Sequence, residues 1–163
     1  MTPEDGADHN SPAIVSGEKD TLLAFLEYLR ASVDRKIEGV SDADARRPLV
    51  ASGTTLLGIV KHLAFVESYW AQRRFAGVDV VLHGDGFELG PTDTVESVRR
   101  EYVQAGRRTD EIVGACPDLE QTLARGRHGL TLRWMLAHLI EETARHAGHA
   151  DILRELVDGR TGR

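Results

Sequence analysis

The chain has 163 residues, a formal net charge of −6, and 41% hydrophobic and 28% charged content. That length suits one domain with its own core, and the composition is that of a globular protein rather than a disordered one. No run of about 18 apolar residues occurs, which excludes a helical membrane span, and the acidic balance argues against a nucleic-acid partner.

The opening segment, MTPEDGADHNSPAIVSG, is acidic and turn-rich and lacks the basic and apolar regions of a signal peptide. We read residues 1–16 as a loose tail, 17–159 as a single domain, and the location as cytoplasmic. The first helix is predicted from Glu18 to Glu38, with Ser16 as its cap and Gly39 as its stop. Leu22, Phe25, Leu26, Leu29, Val33 and Ile37 recur along it at helical spacing. SDADARRPLVASG is a connector with one short helical turn. A second helix is expected from Thr54 to Phe75, closed by Gly77, with an apolar stripe of Leu56, Ile59, Val60, Leu63, Val66 and Trp70.

GVDVVLHGDGFELGPTD follows, a glycine-rich loop with room for a short hairpin. Asp93 and Glu96 make an Asp-x-x-Glu capping signal for a third helix, Thr94 to Ala115. Its expected inward residues are Val95, Val98, Tyr102, Ile112 and Val113. Cys116, the only cysteine, excludes an internal disulfide and any multi-thiolate zinc site, and reads as a small apolar residue at the helix end. Pro117 and ARGRHG break the chain before a fourth helix, Thr131 to Val157, with Gly159 after it. Of the 20 basic residues only Lys19, Lys36 and Lys61 are lysines, and the paired arginines read as solvated helix faces. Four long helices with modest loops imply an all-α four-helix bundle, a fold that builds metal sites from facing side chains.

HLIEETARHAGHAD, His138 to Asp151, raises the question of function. On a wheel advancing about 100° per residue, Met135, His138, Leu139, His146, His149, Leu153 and Leu156 fall within about 60° of Glu142. The stripe is apolar at both ends and ionisable in its middle. A carboxylate in a bundle core costs several kcal/mol unless it is paired, hydrogen-bonded or bound to a cation. Glu142 and His146, four apart, can converge on one ion; the same spacing also serves an ordinary helix-surface pair. A third ligand must come from another helix. His9 lies in the tail, and His83 and His128 adjoin glycines in loops, which leaves His62, mid-way along the second helix. The candidate metal site is therefore His62, Glu142 and His146.

Other chemistries find no support. His-Glu-x-x-His is absent, as is Glu-x-x-His, which a di-iron carboxylate bundle needs. Neither Gly-x-Ser-x-Gly nor Gly-x-x-x-x-Gly-Lys occurs.

TLLAFLEYLR, RRPLVASGTTLLGIVKHLAFVESYW and HGLTLRWMLAHLIEETARHAGHADILRELVDG resemble the DinB-like superfamily of four-helix-bundle metalloproteins, in the branch that contains mycothiol S-transferases. The likeness spans Gly17 to Gly159. The superfamily's usual triad is a histidine on the second helix and a His-x-x-x-His pair on the fourth. His62 matches the first position and His146 the last. Glu142 departs from the commonest pattern, yet glutamate also stands there in mycothiol-dependent maleylpyruvate isomerases, which implies a variant site rather than a lost one. His149 falls where many relatives have glutamine, one turn beyond His146, and reads either as a partner that orients a ligand or relays protons or, equally, as a satisfied core histidine. His138 is one turn before Glu142, and Tyr69, Trp70 and Arg73, near the end of the second helix, are candidate pocket lining, with core packing or surface duty the preferred reading of each.

Two histidines and a carboxylate suit a divalent ion, Zn²⁺ first, with Fe²⁺ and Ni²⁺ as alternatives. The resemblance implies S-transfer: a low-molecular-weight thiol, mycothiol, is activated at the metal and conjugated to an electrophile. The wealth of arginine, alanine and glycine points to a GC-rich genome, in keeping with mycothiol use. Two further readings keep the same site: cis–trans isomerisation of the maleylpyruvate type, and metal binding without turnover. The isomerases usually carry a further C-terminal domain that this chain does not show. Relatives often pair through helix faces, so a homodimer is expected.

Overall fold

The computed structural model of the chain describes residues 11–12, 17–126 and 128–161. The expected tail, residues 1–16, lies outside these apart from Ser11 and Pro12, as do the expected cap Ser16 and the tail histidine His9.

Four long helices and one short one form an all-α bundle. Helix α1 runs Glu18–Ile37 from Gly17, whose φ of 116° suits only glycine; acidic residues occupy its first turn and Arg35 and Lys36 its last, as the helix dipole favours. The connector supplies one short helix, α2, Asp42–Ala45, capped by Ser41. Helix α3, Leu56–Glu67, is capped by the Thr55 hydroxyl. It continues as a π-helical segment, Ser68–Phe75, so the expected single α-helix changes winding part-way along. There Ala76 N–H donates to the Ala71 carbonyl, five residues back. Helix α4 spans Val95–Gly114 and α5 spans Leu132–Asp158, the latter ended by Gly159 in the left-handed conformation. No described helix is long and apolar enough to cross a membrane.

The expected capping pair at α4 is displaced by one residue. Thr94 and Ser97 form the reciprocal box, because the Asp93 carboxylate already accepts from Gly90 N–H and Lys61 Nζ. Nor does the 77–93 segment form a hairpin. Among the described residues the sole β-bridge is Thr122 to Thr131. The segment lies against α3 instead: Lys61 Nζ donates to the Glu88 carbonyl at 2.7 Å, and Arg46 reaches the Gly90 and Asp93 carbonyls, each at 2.6 Å.

Helix α1 packs on α5, α3 on α4, and α5 also meets α3. Contacts of residue 70 with 138, 62 with 146, and 54 with 149 show that α3 and α5 run antiparallel. The apolar core is divided. One cluster holds Val33, Ile37, Leu57, Val60, Leu63, Tyr102, Ala150 and Leu153; the other holds Leu26, Ala71, Phe75, Val113, Leu132, Met135 and Leu139. Between them lies a polar layer with one member from each long helix: Arg30, Glu67, Thr109 and Thr143, all buried. Arg30 Nε and Nη2 grip the Glu67 carboxylate at 2.6 and 2.9 Å, and Thr109 Oγ1 donates to it at 2.6 Å. Burial alone would lower the Arg30 guanidinium's affinity for its proton, but Glu67 and Asp110 outweigh it and raise that affinity.

Candidate metal centre

The buried face of α5 is Leu132, Met135, Leu136, Leu139, Thr143, His146, Ala147, Ala150, Leu153 and Arg154. It is turned by roughly a quarter-turn from the stripe centred on Glu142 that the sequence suggests. His149 and Leu156 are therefore exposed and His138 half-buried, whereas His146 is buried. The reason is the small residues Thr143, Ala147 and Ala150. They say little in a hydrophobic pattern, yet they are buried on the helix that packs along α1. Glu142 consequently sits at the rim of the core, its side chain 15% exposed.

At that rim the structure brings His62, Glu142 and His146 together, with one donor atom from each inside a 4.8 Å group. Glu142 Oε2 stands 3.7 Å from His62 Nε2 and 3.5 Å from His146 Nε2. Both distances exceed an ordinary N–H···O bond of about 2.7–3.2 Å. They match the separation of about 3.4 Å between ligands each held about 2.1 Å from a tetrahedral cation. The other Glu142 oxygen accepts from Arg145 Nη1 at 3.0 Å.

Each imidazole suits the role. His62 Nδ1 lies 2.5 Å from the Asp85 carbonyl, which can only accept, so Nδ1 carries a proton and donates while Nε2 faces Glu142. His146 is pushed down to about 4, by burial first and the neighbouring His62 second, with Glu142 opposing. At neutral pH it is an uncharged ligand nitrogen. Its Nδ1 is buried without a hydrogen-bond partner among the described residues. The donor set and its protonation thus fit a divalent cation.

The 77–93 segment completes the site, which the sequence gives little means to foresee. Phe87 stacks on His62 with centroids 3.9 Å apart and also faces His146 at 5.7 Å. Gly86 makes this approach possible. A Cβ there would lie 2.6 Å from Phe65 Cβ and 3.0 Å from His62 Cα, and its φ is +86°. An Asp-Gly pair in a glycine-rich loop is a turn signal, but nothing local says against which helix the turn lies.

His149 faces His146 at 5.4 Å and borders a cavity of about 210 Å³ with Val50, Ser52, Thr54, Ile152 and Leu153. A wider depression of about 650 Å³, between α1 and α4, includes none of the three converging residues. His138 is in a second grouping with Glu141 and Glu142, where Arg145 already pairs with both glutamates. Tyr69 and Trp70 stack in sequence beyond Phe65. Arg73, expected with them, is exposed; its neighbour Arg74 covers both rings, 5.4 Å from Tyr69 and 5.2 Å from Trp70. His83 and His128 are exposed loop residues, and Cys116 is half-buried at the end of α4 with its thiol on the Asp118 carbonyl.

The chain matches the family model of mycothiol-S-transferase over residues 21–159. No curated protein matches it.

Proposed function

The chain belongs to the mycothiol-S-transferase family, and from that premise we propose that it joins mycothiol to electrophiles at a divalent cation, Zn²⁺ first, held by His62, Glu142 and His146. The observation that carries this reading is the convergence of the three donor atoms within 4.8 Å, from helices far apart in sequence. When bound, such a cation lowers the pKa of a thiol so that thiolate is available near neutral pH.

The chain's own groups do the rest. The Asp85 carbonyl fixes the His62 tautomer, and Phe87 covers that ring and keeps water from it. Arg145 holds one Glu142 oxygen and leaves the other turned to the histidines. His149, exposed and beside His146, takes the proton lost by the thiol and passes it to solvent. In the overall step the S–H bond is lost, an S–C bond forms, and the electrophile's leaving group departs with the electron pair of the bond that breaks. An electrophile that undergoes addition takes the proton back instead.

Elemental analysis and a conjugation assay test the proposal. Purified protein should retain about one divalent ion per chain, and His62→Ala or His146→Ala should weaken retention by about 10–100-fold or more. With mycothiol and monochlorobimane, the metal-loaded protein should form conjugate well above the chemical background, and the chelated protein should not. Tight binding with no conjugation across a broad set of electrophiles would reduce the reading to a metal-binding protein. Conversion of maleylpyruvate without thiol consumption would make it an isomerase.

A further inference from the structure

Both tryptophans of the chain lie at one end of the α3–α5 groove: Trp70 on the π-helical segment and Trp134 in the first turn of α5, with centroids 5.0 Å apart. His138 stacks on Trp134 at 4.9 Å and 18°, and sets its edge against Trp70 at 4.8 Å. Rings connect this group to the candidate metal ligands. His62 neighbours Phe65 at 6.4 Å, Phe65 neighbours Tyr69 at 5.8 Å, and Tyr69 neighbours Trp70 at 5.3 Å.

The winding of α3 builds this arrangement. In an α-helix Trp70 would turn away from the His62 face, eight residues on at about 100° each. Bonds from i to i+5 place more residues in a turn and rotate each side chain less, which swings Trp70 back toward that face. Arg74 covers the outer side of Tyr69 and Trp70. Among the described residues Trp134 has no such cation over it, only the His138 ring on one face. It is 39% exposed, although the next two residues, Met135 and Leu136, are fully buried.

We propose that Trp134, Trp70 and His138 form a platform that binds a planar aromatic group, the ring of the electrophile. The substrate role rests on the transferase reading above; the aromatic site itself does not. His138 is one turn from Glu142, about 6 Å along the helix axis. Indole and imidazole faces offer stacking area without a hydrogen-bond code, so the platform selects flatness rather than one particular ring.

The two indole N–H resonances, followed in ¹⁵N-labelled full-length protein, report directly on the site. Titration with 4-nitrobenzyl alcohol, an unreactive planar probe, should shift both saturably. Cyclohexylmethanol, of similar size but not flat, should bind about threefold or more weakly. In kinetics, Trp134→Ala should raise KM for 4-nitrobenzyl chloride by roughly 3- to 10-fold, leave KM for iodoacetamide within about twofold, and Trp134→Phe should restore most of the loss. Indole resonances that do not respond, or that respond equally to both probes, would overturn the proposal. So would equal KM changes for the two electrophiles. Indole shifts in a protein that transfers no thiol would sink the transferase reading and leave the aromatic site standing.

Discussion

His146 is the residue whose protonation the fold controls most directly at the site. Unfolded, it takes up a proton near 6.5; folded, only near about 4. Between these values the unfolded chain carries the extra proton, so acid favours unfolding and neutral pH does not. The metal-free protein should lose stability as pH falls from about 6.5 to about 4, with this residue contributing up to about 1.4 kcal/mol per pH unit. Urea melts at several pH values check this, and His146→Gln should flatten that part of the profile. Of the residues singled out, His62, Glu142 and His146 were legible because helical spacing places them and elimination leaves one mid-helix histidine. His149 was not placed so well. Its exposure follows from the way α5 is turned against α1, which small residues decide.

At the level of elements, the 77–93 segment and the start of α4 decide the most. Gly86→Ala should push the segment off α3, because Phe65 Cβ and the His62 backbone occupy the space of the new methyl. We expect a stability loss of about 1–3 kcal/mol by denaturant melts, and cation affinity reduced by about tenfold or more through loss of the Asp85 contact. At α4 the box belongs to Thr94 and Ser97. Thr94→Ala should therefore cost about 1 kcal/mol, while Glu96→Ala should stay within about 0.5 kcal/mol. The sequence pointed to Asp93 and Glu96 there; the engagement of Asp93 by Lys61 and Gly90 moved the cap one residue on.

For the whole molecule, the polar layer is the feature that joins all four long helices. Glu67 is 1% exposed and its carboxylate is fully engaged by Arg30 and Thr109. Glu67→Ala leaves the Arg30 guanidinium buried with only Asp110 and Glu27 near it. It should destabilise the protein by about 3–5 kcal/mol in equilibrium unfolding. The layer also separates the two apolar clusters, so each helix is apolar at both ends and polar in its middle.

The sequence by itself determined the number and approximate positions of the long helices and the residue types able to share a cation. These follow from local spacing, capping chemistry and the cost of burying charge, which act within a few turns of one helix. It also carried a family resemblance that the match over residues 21–159 bears out. Tertiary structure alone decided how far α5 is rotated, which loop covers His62, and how the π-helical turn brings Trp70 to Trp134. Each of these depends on contacts between segments distant along the chain, where small residues and a single glycine set the approach of one backbone to another and leave no periodic trace.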